Sequence, residues 1–388
     1  MSVAAAGLPT VLIVDDDENL LASVSRSLSG SFNLVKYING EAALEWLSKN
    51  RSGVNIIVAD LVMPTIDGIS FLKRAFRCAP DIPRILLTGN ISAVPMREAN
   101  GLAKVSKILT KPISIATFKE VLFKTIEDKR KENHADQLIA DTLNELLDQS
   151  AVITAFQPRV SAEDFSRTGG EVLCRMSDVH KGYDIGTIIR QCQNQPVMDR
   201  LTMCLMDITI NSAPVYRKIL GSGALLSLNL DYVSVCNSQF VQALSGFVAE
   251  MQKYGLEVAF EIHEMQLGKI DENFIKNARF LSDRGIRIFI DGFGADKGAL
   301  ELLRHEFFVG VKLDRRLIRQ VMENDDTGRF ISWIVQICRQ IDYSVVATGV
   351  ENEATALRLR SYGVDELQGY LFGMPQPIEE HIPSIFTQ

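Results

Sequence analysis

Between residues 11 and 118, short apolar runs alternate with stretches of helical period. VLIVD at 11–15, NIIVAD at 55–60, RILLTG at 84–89 and KILT at 107–110 read as buried strands. EAALEWLSK at 41–49 and ISFLKRAF at 69–76 read as amphipathic helices between them. Near-continuous apolar strands separated by helices predict a parallel sheet covered on both faces.

The pattern changes after Ile113. No Gly or Pro occurs from Ile113 to Gln157, and 13 of the 30 residues from Lys119 to Asp148 are charged. Leu138, Ile139, Leu143, Leu146 and Leu147 recur near helical spacing, so a long connecting helix is expected, interrupted in its polar middle. Such a helix is either a solvated spacer or a pairing element that passes a signal between protomers. From residue 151 onward eight strand-like runs follow: AVITAFQ, EVLCRM, ALLSLNL, LEVAFEI, IRIFID, FVGVKL, YSVVAT and ELQGYLF. Several end in a polar or ionisable residue, among them Asn229, Glu261, Asp291 and Lys312. Eight strand–helix units of this size match a (β/α)8 barrel, whose chemistry sits at the C-terminal strand ends. The expected organisation is an α/β chain with a first domain over 1–125, a helical linker over 126–150 and a barrel over 151–388.

Composition narrows the classes. Hydrophobic residues make up 46% and charged residues 23% of the 388, which excludes a mostly disordered chain. A net charge of −7 argues against binding by broad phosphate neutralisation. No apolar run has the length of a membrane span, and MSVAAAGLPT lacks the basic start of a secretion signal. The 6 cysteines include no CxxC pair, so neither a disulfide framework nor a zinc site is suggested. A cytoplasmic protein is expected.

In the first domain, Asp15 and Asp16 follow the first strand and Asp60 ends the third. Thr88 ends the fourth strand and Lys111 follows the fifth. In a parallel sheet these ends converge on one edge. Three carboxylates there call for a hard cation, and Mg²⁺ suits oxygen ligands. A carboxylate held against that cation is a phosphoryl acceptor, with a hydroxyl and an ammonium beside it for the phosphoryl oxygens. Over residues 10–125 this order resembles the receiver domain of two-component response regulators, a doubly wound α/β fold. The resemblance implies phosphorylation at Asp60, Mg²⁺ held by Asp15, Asp16 and Asp60, a switch hydroxyl at Thr88 and a phosphate-pairing Lys111. Ile108 stands where the family often carries an aromatic residue three positions before that lysine.

In the second domain Glu171 and Arg175 lie in EVLCR, Asn229 ends SLNL, and Glu261 and Glu264 lie in EIHE. Asp291 begins DGFG, Lys312 lies in VKLD, Glu351 ends TGVE and Gln368 precedes GY. This order resembles the EAL family of cyclic di-GMP phosphodiesterases over about residues 150–380, which implies a TIM-like (β/α)8 barrel. In that family two divalent ions activate a water that cuts one phosphodiester. The resemblance places Glu171, Asn229, Glu261 and Asp291 at a first metal. It places Arg175 and Lys312 near phosphate or water, and Glu351 and Gln368 in the pocket.

The departures bear on activity. The family's DDFG reads Asp291-Gly292-Phe293-Gly294, and its AEGVE reads Ala347-Thr348-Gly349-Val350-Glu351. A second-metal aspartate is thus Gly292, and a glutamate of the base and second-metal region is Thr348. The following loop is changed at Ala295–Ala299, Met176 replaces a common Trp, and Gly186 replaces a common Pro. Losing a general base costs about 10²–10⁴ in rate, and losing a metal removes several kcal/mol more. The expectation is a vestigial site with barrel metals weak or absent, and no enzyme activity.

The resemblances together imply a phosphorylation-controlled response regulator in cyclic di-GMP signalling whose barrel acts by protein interaction. Its partners would be a cognate histidine kinase and an active EAL phosphodiesterase or other signalling protein, and it would form a homo-oligomer. The alternatives are a phosphodiesterase with residual activity and a non-hydrolysing cyclic di-GMP sensor. No basic recognition helix follows the barrel and no GG[DE]EF motif occurs, so neither DNA binding nor cyclase activity is expected.

Overall fold

The computed structural model describes residues 7–90, 99, 101, 103–180, 182–268, 270–294 and 299–381. The chain divides into two compact units, residues 1–135 and 136–388.

The first unit is a five-stranded parallel sheet in the order β2-β1-β3-β4-β5. The strands are β1 (Thr10–Val14), β2 (Asn33–Tyr37), β3 (Ile56–Asp60), β4 (Arg84–Thr88) and β5 (Lys107–Thr110). Alternation within the apolar runs feeds two cores. Leu12, Val14, Ile57, Ala59 and Leu86 pack with α2 (Gly40–Asn50) and α3 (Gly68–Cys78). Val11, Ile13, Ile56, Val58, Ile85 and Leu87 pack on the opposite face with α1 (Glu18–Leu28). Strand β2 is the one of the five strands for which the sequence offers no apolar run, because NLVKY is a partly exposed edge strand. Side chains at the strand-to-helix turns start the helices: Asp17, Asn39 and Asp67 each accept backbone N–H groups as N-caps.

The expected break in the connecting helix is absent. A single helix, α4, runs from Ile115 to Asp148. Phe118, Leu122 and Ile126 bury its start in the first unit, and Ala140, Leu143, Leu146 and Leu147 bury its end in the second. Its polar middle stays helical with ion pairs at helical spacing, Glu127–Lys131 and Lys129–Glu132, both at 2.8 Å.

All eight expected barrel strands form and close into one barrel, in the order β10-β11-β12-β13-β6-β7-β8-β9. They are β6 (Val152–Ser161), β7 (Arg167–Met176), β8 (Leu225–Asn229), β9 (Glu257–His263), β10 (Arg287–Phe293), β11 (Gly310–Leu313), β12 (Ser344–Thr348) and β13 (Glu366–Gln368). One correction to the (β/α)8 expectation follows: β6 runs antiparallel to both β7 and β13. The link from β6 to β7 is a tight turn at residues 162–166, too short for the crossover helix that a parallel pair requires. The remaining neighbours are parallel, so their C-terminal ends share one mouth. Met176 packs with the end of α4, Ile185 and Leu201 in a satellite core.

Candidate functional sites

In the first unit the C-terminal strand ends bring Asp15, Asp60, Thr88 and Lys111 together. Asp15 and Asp60 are buried, and the Lys111 Nζ lies 2.6 Å from Asp15 Oδ2 and 2.5 Å from Asp60 Oδ1. Burial works against the Lys111 charge, but its hydrogen bonds to both carboxylates prevail and hold its pKa above the ordinary lysine value. Asp60 Oδ2 accepts the Val62 N–H at 2.8 Å, and Asp15 Oδ1 accepts the Asp17 N–H at 3.0 Å. Asp16 follows on the exposed side. Thr88 Oγ1 donates to the Asn90 carbonyl at 3.0 Å. Gly68 explains the Asp-Gly pair at 67–68: a Cβ there would lie 2.0 Å from the Asp60 carbonyl oxygen, so only glycine lets α3 start so close to the acidic residue. Asp15, Asp16 and Asp60 are hard-oxygen donors of the kind Mg²⁺ takes, but with the Lys111 ammonium set between Asp15 and Asp60, no group of three such side chains among the described residues is arranged to hold an ion.

In the second unit the strand ends converge on a polar cluster. Glu171 comes from β7, Asn229 from β8, Glu261 from β9, Asp291 from β10, Lys312 from β11, Thr348 from β12 and Gln368 from β13. Lys312 Nζ lies 2.7 Å from Glu171 Oε2 and 2.5 Å from Glu261 Oε2. Glu171 also accepts from Asn229 Nδ2 at 2.7 Å and from Gln368 Nε2 at 3.0 Å. Burial opposes the Glu171 charge, but Lys312 and these two amides hold its pKa below the ordinary value. Glu261 is pushed the other way, to about 7, by burial and by the Glu171 charge. Burial also opposes the Lys312 charge, yet the flanking carboxylates raise its pKa above the ordinary value.

A cavity of about 240 Å³ opens over this cluster. Glu171, Asp291, Lys312, Thr348, Glu351 and Gln368 all line it, as does Gln157. Asn229 and Glu261 sit at its floor side through their contacts with Glu171 and Lys312. Arg175 does not line it; its Nη1 donates to the Cys174 carbonyl at 2.8 Å. Arg315, Arg319 and Tyr370 were not singled out from sequence yet line the cavity. The signal for the arginines was their spacing of four in the helix Arg315–Gln320, which puts both on one face. Glu351 faces Arg319 at 3.7 Å, both exposed.

The fit to metal ions is uneven. Glu171, Glu261 and Asp291 supply hard oxygens, and Glu261 Oε1 is buried with no hydrogen-bond partner, an open acceptor that suits one cation. Among the described residues, the two positions altered from the family motif bring no carboxylate to a second cation. Gly292 offers none, and the Thr348 hydroxyl donates to the Leu313 carbonyl at 2.7 Å. His263 lies beside this position: a Cβ at residue 292 would lie 2.9 Å from its Nε2. The segment Ala295–Gly298, including Asp296, lies outside the described residues.

Comparisons with known proteins agree with this geometry. The chain is 25% identical to the cyclic di-GMP phosphodiesterase RocR of Pseudomonas aeruginosa, over 96% of this chain and 97% of that protein. The fold matches the EAL enzyme Bd1971 in its cGMP-bound form, with a TM-score of 0.58 and 20% identity over 73% of this chain and 78% of that one. It also matches the FimX EAL domain of Xanthomonas citri in complex with cyclic di-GMP, with a TM-score of 0.55 and 15% identity over 64% and 97%. Among the described residues no helix is long and apolar enough to cross a membrane. Residues 11–123 match the response regulator receiver domain and residues 140–375 match the EAL domain, so the chain belongs to the EAL family and carries an N-terminal receiver domain.

Proposed function

We propose that this chain is a phosphorylation-controlled response regulator in cyclic di-GMP signalling whose EAL barrel does not hydrolyse the dinucleotide and acts by binding another protein. The observation that carries the reading is the pair of altered positions at the barrel mouth. Gly292 brings no donor, and Thr348 spends its hydroxyl on a backbone carbonyl. Without donors at these two positions, the attacking and leaving oxygens lose the paired charge that two-metal cleavage requires.

At the other end, Asp60 is the phosphoryl acceptor. Mg²⁺ held by Asp15, Asp16 and Asp60 would neutralise the incoming phosphoryl group. Lys111, already within 2.5 Å of Asp60, pairs with the product. The phosphate adds about −1.5 to −2 charges, enough to bias a receiver between two packings. A cognate histidine kinase supplies it, and an active EAL phosphodiesterase or another signalling protein reads it.

The second reading is a phosphodiesterase of low activity. It draws support from the four carboxylates, Lys312 and Gln368 that remain and from the full-length likeness to a protein named a cyclic di-GMP phosphodiesterase. The deciding experiment incubates purified protein with cyclic di-GMP and Mg²⁺ or Mn²⁺. The expected result is a rate no higher than that of Glu171→Ala. Robust turnover that Glu171→Ala removes would establish the second reading. Binding of the intact dinucleotide without a change in any partner's rate would point to a non-hydrolysing sensor.

A further inference from the structure

We propose that His263 is a positioning residue that plugs the space beside Gly292 and so keeps a second cation out of the barrel mouth. The inference rests on the non-hydrolytic reading above and deepens it, because it makes the loss of the second cation site a property of two residues together.

The parallel register of β9 and β10 sets Asp291 directly opposite His263. Gly292, the next residue, has φ +70°, and a Cβ there would meet the imidazole at 2.9 Å from Nε2, 3.2 Å from Cε1 and 3.4 Å from Cδ2. Three ring atoms at these distances mean that the ring itself covers the position. The ring is also tethered. Its Nδ1 accepts the Met265 N–H at 3.2 Å and caps the turn Glu264–Leu267, so swinging it aside breaks that cap. With Nδ1 accepting, Nε2 carries the hydrogen, and an N–H offers no lone pair to a cation. The side chain therefore excludes a cation by volume and by the group it presents.

It follows that restoring a carboxylate at position 292 is not enough. Aspartate tolerates positive φ better than most residues, so the backbone is the lesser obstacle and the ring contact the greater. Replacing the ring by serine keeps a hydroxyl to cap the turn and opens the space. Asp291 and a new carboxylate beside it could then share a cation completed by water, as two carboxylates commonly do.

The test uses the full chain with Asp15→Asn and Asp16→Asn throughout, so that the receiver contributes no cation site. Mn²⁺ binding is measured by calorimetry and by the spectrum of bound Mn²⁺ for the parent, Gly292→Asp, His263→Ser and the double variant. Only the double variant is expected to take up an additional Mn²⁺, with affinity at least about tenfold above either single change. An additional Mn²⁺ in Gly292→Asp alone, or none in the double variant, overturns the proposal. A stability cycle guards against misfolding of the aspartate variants. Gly292→Ala should lower Tm by about 2–4 °C more with His263 present than with His263→Ser. Equal losses would also overturn the plug. Hydrolysis by the unaltered protein is a separate readout: turnover with the coupling intact removes the non-hydrolytic reading, and absent coupling removes the plug alone.

Discussion

Each unit sets one lysine between two carboxylates from neighbouring parts of a sheet. In the receiver, Lys111 spans Asp15 and Asp60 with its side chain 28% exposed; in the barrel, Lys312 spans Glu171 and Glu261 at 2% exposure. The distances are nearly the same, and the surroundings differ. Water beside Lys111 weakens each attraction and lets partners exchange when charge arrives at Asp60. Lys312, at the bottom of its cavity, is nearly shut off from water, so the ammonium acts as a fixed counter-ion. The same charge pattern is a movable clamp at a sheet edge and a structural tie in a barrel interior. In the non-hydrolytic reading proposed above, the receiver's acidic edge serves phosphorylation, while Gly292 and Thr348 leave the barrel's tie without chemistry to serve.

The comparison breaks first at Asp60. Small phosphodonors with Mg²⁺ should phosphorylate the protein, and Asp60→Asn should reduce incorporation to background. Phosphate incorporation at the parent level in that variant would place the acceptor elsewhere. The two lysines offer the next test. Lys312→Met strands two buried carboxylates and should cost about 3–5 kcal/mol in urea denaturation. Lys111→Met, at a site that water partly reaches, should cost less than Lys312→Met. Similar losses would erase the distinction drawn here. The smallest effect is a pH slope. With Glu261 at about 7 and the unfolded side chain near 4.5, the folded chain holds a proton that the unfolded chain has released. Folded stability of metal-free protein should therefore fall as pH rises between about 4.5 and 7. The raised Lys111 value has the same sign in a different window: its stabilisation persists through neutral pH and is lost as pH rises through and above the ordinary lysine range. Glu261→Gln in the presence of a chelator should flatten the slope, and an unchanged slope would show that Glu261 is not its source.

Sequence carried most of the architecture because buried parallel strands write themselves as apolar runs. It counted five strands in the first unit but pointed to no segment for β2, whose edge position leaves NLVKY too polar to stand out. It foresaw a break in α4 from a run of charge, but exposed i,i+4 pairs keep such a run helical. It could not see β6 reversed, since strand direction leaves no trace in periodicity. At the sites, residues set at strand ends were legible one by one. His263 was not, although it lies two residues from Glu261, because nothing in EIHE reveals that the next strand would bring Gly292 under its ring. Arg175 was legible from its place in the motif, and its guanidinium donates to the neighbouring Cys174 carbonyl.

The reversal of β6 bears on when the site can exist. Gln368 of β13 reaches Gln157 of β6 across 211 positions of chain and Glu171 across 197, so the acidic floor and the closing seam are one network. Contacts that distant are slow to form, because a long loop must close before they return anything. On a ribosome adding roughly 5–20 residues per second, the strand that completes the seam is among the last parts made. The barrel's first strand therefore waits through most of synthesis for its second neighbour, while the receiver's five strands have long been available to pair. A nascent chain would thus present a folded receiver domain well before its barrel can close.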